Sequence, residues 1–362
     1  MRIGILTFHR ARNYGAVLQA YALQTYLESL GHHVFVIDYR PSYIENVYRL
    51  FKFGQWHDKG FIANLKWNIR EILVSPIRWL RNYRFERFVS QRLHLLRLDL
   101  DKPCADVDMF VFGSDQIWNP VICNGYDKYY LADAEAFEGK KCIAYAVSVG
   151  RVANIESDCV QLLNRLSGFD LIGVRENSLL EWLKANGIAN SVLTLDPVMM
   201  VGRECFEPIA REVKHRKPFL LLFMIEKIPL ARKIAELVAS ENNLDVVELT
   251  TNYESLRFIG KEHAKSPEYC LGMIKAASYI VTTSFHATVL SILFNKDFTA
   301  VSSRDSMNER IQSLLSLFGL ESRLSCEDSN IDTSPIDYDR RFYRFEEVKK
   351  SSETVLKGLA VK

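Results

Sequence analysis

Nine short, nearly continuous apolar runs, set apart by helical stretches, restrict this chain more than any other feature. Five lie in the first half: IGILTF (3–8), HVFVIDY (33–39), MFVFGS (109–114), CIAYAVSV (142–149) and DLIGVR (170–175). Four lie in the second: FLLLFMI (219–225), DVVELT (245–250), YIVTTS (279–284) and DFTAVSS (297–303). A strand that is apolar on both faces is buried on both, the condition of a parallel sheet covered by helices. Two such series predict two doubly wound, Rossmann-like α/β domains facing a cleft. The length, 362 residues, also exceeds that of one ordinary domain. The rhythm breaks near LDPVMMVGRECF (195–206), at Pro197 and Gly202, so the expected division is 1–200 and 201–362. EEVKKSSETVLKGLAVK (346–362) reads as a closing helix.

Charge and cysteine usage narrow the class. The net charge is only +2, unlike the strongly basic face of a nucleic-acid binder. No apolar run is long enough for a membrane span, and MRIGILTF is too short for the core of a signal peptide. Seven scattered cysteines, odd in number and without a CxxC pair, make a poor disulfide framework and a poor zinc site. Reduced thiols in a cytoplasmic protein are the expectation.

One segment departs from the alternation. FIANLKWNIREILVSPIRWLRNYRFERFVSQRLHLLRL (61–98) is helical in pattern but interrupted by Pro76. From Lys66 to Arg97 it carries eight Lys/Arg against two Glu, with Trp67, Trp79, Tyr83, Phe85 and Phe88 interleaved. Three readings stay open, one of them nucleic-acid binding, although no recognised module surrounds the segment. A basic amphipathic helix can lie on an anionic membrane, placing the protein peripherally at the inner face of the plasma membrane. The plainer reading is a helical insertion with its apolar stripe packed on the domain and its charges solvated.

Five motifs sit where strands hand over to helices, the edge at which open α/β sheets bind ligands. TFHRARNYGA (7–16) ends the first run; Asn13 and Gly15 suit a turn and a helix start. FGSDQIWNP (112–120) follows the third run, and Asp115 there serves equally as helix cap or general base. In GVRENS (173–178), Arg175 can fork onto a carboxylate or phosphate, or simply pair with Glu176. VTTSFHAT (281–288) places Thr283, Ser284, Phe285 and His286 between a strand and an apolar helix, an anion cradle unless His286 is merely a satisfied core histidine. SMNERI (306–311) opens a further helix with Arg310. No HExxH or Cys/His cluster has metal-ligand spacing, so metal-free chemistry is expected.

Together, GILTFHRARNYGAVLQAYALQ (4–24), FVFGSDQIWNP (110–120), YAVSVG (145–150), GVRENS, LDPVMM (195–200), the stretch 266–298 and NERIQSLL (308–315) resemble the polysaccharide pyruvyl transferase family. The resemblance implies a GT-B-like fold, phosphoenolpyruvate as donor, no further cofactor, and a saccharide acceptor, often a lipid-linked capsule, exopolysaccharide or cell-wall unit. The product would be a cyclic pyruvate ketal. By the family pattern Arg175 falls at a donor-binding position, and His286 at one linked to donor binding and catalysis, with Thr283, Ser284 and Phe285 in the same block. Some relatives carry arginine where this chain has Ser284; Arg310 or Arg12 would then supply the charge. His9 is a secondary acid/base candidate. Asn13, Asp115 and Gln116 are the expected acceptor contacts, since by analogy the first domain holds the acceptor. The competing readings are a nucleotide-sugar glycosyltransferase in the same cleft, and an inactive saccharide-binding relative.

Overall fold

A computed structural model describes residues 1–51, 60–156, 159–250, 264–303, 309–326, 331–339 and 342–357. Every one of the nine apolar runs forms a strand. The first sheet holds β1 (Arg2–Leu6), β2 (His33–Ile37), β3 (Leu95–Leu96), β4 (Met109–Phe112), β5 (Lys141–Val147), β6 (Leu171–Val174) and β7 (Ser191–Leu193) in the order β3-β2-β1-β4-β5-β6-β7. The second holds β8 (Phe219–Met224), β9 (Asp245–Thr250), β10 (Tyr279–Thr282), β11 (Asp297–Val301) and β12 (Leu324–Ser325) in the order β12-β11-β10-β8-β9. The ladders are parallel in both. The strands absent from the sequence reading, β3, β7 and β12, are two or three residues long, too short for a periodic signal. Several runs were expected to extend further: Thr7 and Phe8, and Thr283 and Ser284, leave their sheets because they turn the chain into the next helix.

The helices are α1 (Tyr14–Ser29), α2 (Ser42–Val47), α3 (Phe61–Arg92), α4 (Pro120–Cys123), α5 (Cys159–Leu166), α6 (Asn177–Ala185), α7 (Pro197–Val201), α8 (Pro229–Glu241), α9 (Pro267–Ala276), α10 (Phe285–Leu293), α11 (Glu309–Phe318) and α12 (Tyr343–Lys357). Pro76 does not divide α3. It withholds the N–H that would bond the Ile72 carbonyl, and the Ser75 hydroxyl donates to that carbonyl instead at 2.8 Å.

Helix α1 is apolar nearly all round and correspondingly buried, from Tyr14 and Val17 through Leu27. It lies between the first sheet and α7, α9 and α10, so one apolar cluster runs from Ile3 and Ile5 through Val17 and Leu18 to Leu221, Ile280 and Leu290. The two sheets thereby share a core. The closing helix α12 ties them again: Phe342 and Phe345 pack on Phe318 of α11, while the Ser352 hydroxyl accepts from the Leu195 N–H at 2.8 Å beyond β7. In each sheet the strand order reverses beside the first strand, β1/β4 and β8/β10, and the crevices outside those carboxyl ends meet.

Candidate active site

A cavity of about 300 Å³ opens where those crevices meet. One wall comes from the segment after β1 (Phe8, Ala11, Asn13), from Ile44–Tyr48, and from Asp115 and Gln116 after β4. The other comes from Ile225 and Glu226 after β8, Thr283–His286 after β10, and Arg310 of α11. A second space of about 260 Å³ shares Gln116, Glu226, Thr283 and Arg310 and continues along Asn119, Arg151 and Ser302.

The N-terminus of α10 opens onto the cavity. The Ser284 hydroxyl caps the helix by accepting from the Ala287 N–H at 3.3 Å. The Thr283 hydroxyl accepts from the Ile225 and Glu226 N–H groups at 3.0 and 3.2 Å, pinning this turn to the end of β8. The N–H groups of Phe285 and His286, in the first turn, have no intrahelical acceptor, and the positive end of the helix dipole points the same way. Asn13 caps α1 similarly, accepting from the Gly15 N–H at 3.0 Å. Two helix N-termini therefore border one cavity.

His286 is held by close packing: the imidazole lies against Gly15 so tightly that a Cβ there would overlap the ring. Its Nε2 is buried without a hydrogen-bond partner among the described residues, 3.5 Å from Asp196 Oδ2. Asp196 caps α7, accepting from the Val198 N–H at 2.9 Å. Its Oδ2 also accepts from Arg175 Nη1 at 2.7 Å and from the Ser114 hydroxyl at 3.2 Å. Burial opposes the Asp196 charge, but His286 and Arg175 outweigh it and hold the carboxyl well below the usual range.

Arg175 is buried behind the cavity and does not line it. Its Nη2 donates to Asp115 Oδ1 at 3.3 Å, and its guanidinium stacks 4.9 Å from the Phe285 ring. Burial works against its charge; Asp196, Asp115 and Glu176 more than offset this and raise its pKa. Arg310 also approaches the Phe285 ring, at 5.8 Å, so that ring contacts two guanidinium groups. Arg310 itself faces the cavity, with a buried Nε that has no hydrogen-bond partner among the described residues. Burial, then repulsion from Arg175, lowers its pKa. Glu176 is buried beside this pair; its Oε1 accepts from the Ser148 hydroxyl, its Oε2 has no hydrogen-bond partner among the described residues, and burial raises its pKa.

The cavity thus gathers Asn13, Asp115, Gln116, Thr283, Ser284, Phe285, His286 and Arg310 from the expected set. Three expected residues lie outside its lining: Arg175, buried behind it, and His9 and Arg12. His9 is fully buried against Asp38, 3.2 Å from its Oδ1, and burial lowers its pKa. Arg12 donates to the Tyr48 carbonyl at 3.1 Å and to Glu86 Oε1 at 3.4 Å, outside the cavity lining. Ser306–Asn308 of the fifth motif lie outside the described residues.

The family profile for polysaccharide pyruvyl transferase matches residues 13–306, most of the chain. The chain belongs to that family. No curated protein matches it. Solved structures share its architecture at low identity. A Listeria monocytogenes protein assigned as a UDP-N-acetylglucosamine 2-epimerase aligns at 10% identity and TM-score 0.51, over 99% of this chain and 94% of that one. The S. aureus MnaA–UDP complex aligns at 12% identity and TM-score 0.52, over 99% and 94%. These matches bear on the fold alone, two parallel α/β sheets in the GT-B-like arrangement.

For this pyruvyl transferase family member, sequence reasoning passed over two cavity-region carboxylates. Glu226 is the first acidic residue after the apolar β8 run, the same strand-end position that singled out the other motifs. Asp196 precedes Pro197, the pattern of a cap followed by proline at the first helical position, and that signal marks it in the sequence.

Proposed function

We propose that this protein transfers the enolpyruvyl group of phosphoenolpyruvate to a saccharide, with the 201–362 side holding the donor and the 1–200 side the acceptor. The observation that carries this reading is the cavity itself: His286, Arg310 and the α10 N-terminus converge on one space bounded opposite by Asn13, Asp115 and Gln116. Family membership supports the reaction class.

Phosphoenolpyruvate brings a carboxylate and a phosphate. Arg310 and the free N–H groups of Phe285 and His286 supply charge and donors for one, taking the place of the arginine that some relatives carry at the Ser284 position. The reaction starts with a proton delivered to the methylene carbon, giving oxocarbenium character at the carbon bearing phosphate. A sugar hydroxyl adds there and loses its proton. Phosphate then leaves with the C–O bond electrons and takes up a proton. The second hydroxyl adds to the same carbon, loses its proton and closes the ketal. Two hydroxyl protons are thus accounted for, one on the new methyl group and one on phosphate. His286 suits these transfers because an imidazole can both donate and accept a proton, and the Asp196 carboxylate stands 3.5 Å behind it. Arg175, engaged by Asp196 and Asp115, acts by positioning both carboxylates and the Phe285 ring.

The test is a thermal-shift titration with phosphoenolpyruvate beside UDP- and CMP-sugars. A ligand that binds only the native state raises the unfolding midpoint. Stabilisation by phosphoenolpyruvate is expected, and Arg310→Ala should weaken its binding roughly ten- to a hundredfold, the value of a charge-assisted contact. Stabilisation by a nucleotide sugar alone would move the protein to the glycosyltransferase reading.

A further inference from the structure

Helix α3 is amphipathic the wrong way round. Ile62, Leu65, Ile69, Ile72, Trp79 and Tyr83 project into solvent, from 49% exposed at Leu65 to 68% at Ile62. The face turned to the protein carries Glu71, completely buried and accepting from Arg78 Nη2 at 3.0 Å, and Arg81, which donates to the Arg12 carbonyl. The expected apolar packing stripe is confined to Val74, Phe85, Phe88 and Val89. The charges on this face are satisfied inward, and a 3-4 spaced apolar row, about 32 Å long over residues 62–83, is left facing outward.

We propose that this face docks on an anionic lipid surface. Charge decides the occupant. The exposed charges bracketing the row are Lys66 and Arg87, both basic. The two carboxylates of the helix are engaged elsewhere, Glu71 with Arg78 and Glu86 with Arg10 and Arg12. A second copy pairing along the same row would bring like charges together with no carboxylate of the row to meet them. An anionic headgroup layer meets Lys66 and Arg87 while its acyl boundary takes the apolar row. Trp79 and Tyr83, stacked at 5.7 Å, are residue types that favour the boundary between hydrocarbon and water. No helix among the described residues is long and apolar enough to cross a membrane, so the contact lies along the surface. It does not depend on the transfer chemistry.

Vesicle flotation with the full chain tests this, using phosphatidylcholine vesicles with and without phosphatidylglycerol. Flotation is expected only with phosphatidylglycerol. Lys66→Ala should reduce the bound fraction roughly fivefold, and Ile69→Glu more than about tenfold. Both positions are exposed, so unfolding midpoints and phosphoenolpyruvate titrations should match the wild type. Absence of flotation, or flotation unchanged in Ile69→Glu, would overturn the proposal. So would a concentration-dependent dimer in sedimentation velocity that Ile69→Glu dissolves, which would assign the face to a second copy.

Discussion

Gly15 and His286 lie far apart in sequence, yet the ring is shaped to the glycine. In Gly15→Ala, alanine's better helix propensity of roughly 1 kcal/mol favours α1 taken alone. The added methyl group nevertheless forces the imidazole to shift, and turnover should fall at least about tenfold, since misplacing a reacting group is costly. Wild-type turnover in that variant would separate the ring position from the chemistry. His286→Ala should lower kcat by roughly 10²- to 10⁴-fold while the folded state is retained, read by circular dichroism. Asp196 gives a pH signature. Its carboxyl pKa is lowered in the folded state, so its contribution to stability is complete above the ordinary value of 3.8 and is lost as pH falls below it. Asp196→Asn should flatten that acid limb of the stability curve, read by urea unfolding at a series of pH values. At this scale the sequence disclosed residue types at strand ends, and could not say that Arg175 would be enclosed by two carboxylates while Arg310 faced the open space.

At the scale of elements, the strand-to-helix junction after β10 shows how local chemistry makes a site. An apolar strand ends, Thr283 ties the turn to β8, Ser284 caps α10, and the next N–H groups are left for a ligand. Ser284→Ala should cost about 1 kcal/mol of stability, the usual value of a lost cap, and weaken phosphoenolpyruvate binding as the first turn frays. Denaturant unfolding and calorimetric titration read the two effects separately. This junction was legible because capping and strand burial are short-range. Helix α3 was not: its composition announced a basic amphipathic segment, but which stripe faced inward depended on Arg78 reaching the Leu50 carbonyl and Arg81 the Arg12 carbonyl, with Glu71 paired to Arg78.

Across the whole molecule, the shared apolar cluster and α12 join the two sheets. Ser352 is completely buried and accepts from the Leu195 N–H, so Ser352→Ala strands a buried donor beside Asp196. A loss of roughly 1–3 kcal/mol is expected in urea unfolding. An unchanged midpoint would mean that α12 is not a structural clasp. The sequence by itself determined two parallel sheets, their approximate strands and the edge at which ligands gather, because burial on both faces and helix capping are written in consecutive residues. The order of strands, the meeting of the α1 and α10 termini, the Asp196–His286–Gly15 contact and the outward turn of the α3 apolar row were decided only by tertiary structure. Each depends on which distant surfaces exclude water together, and local sequence does not encode that choice.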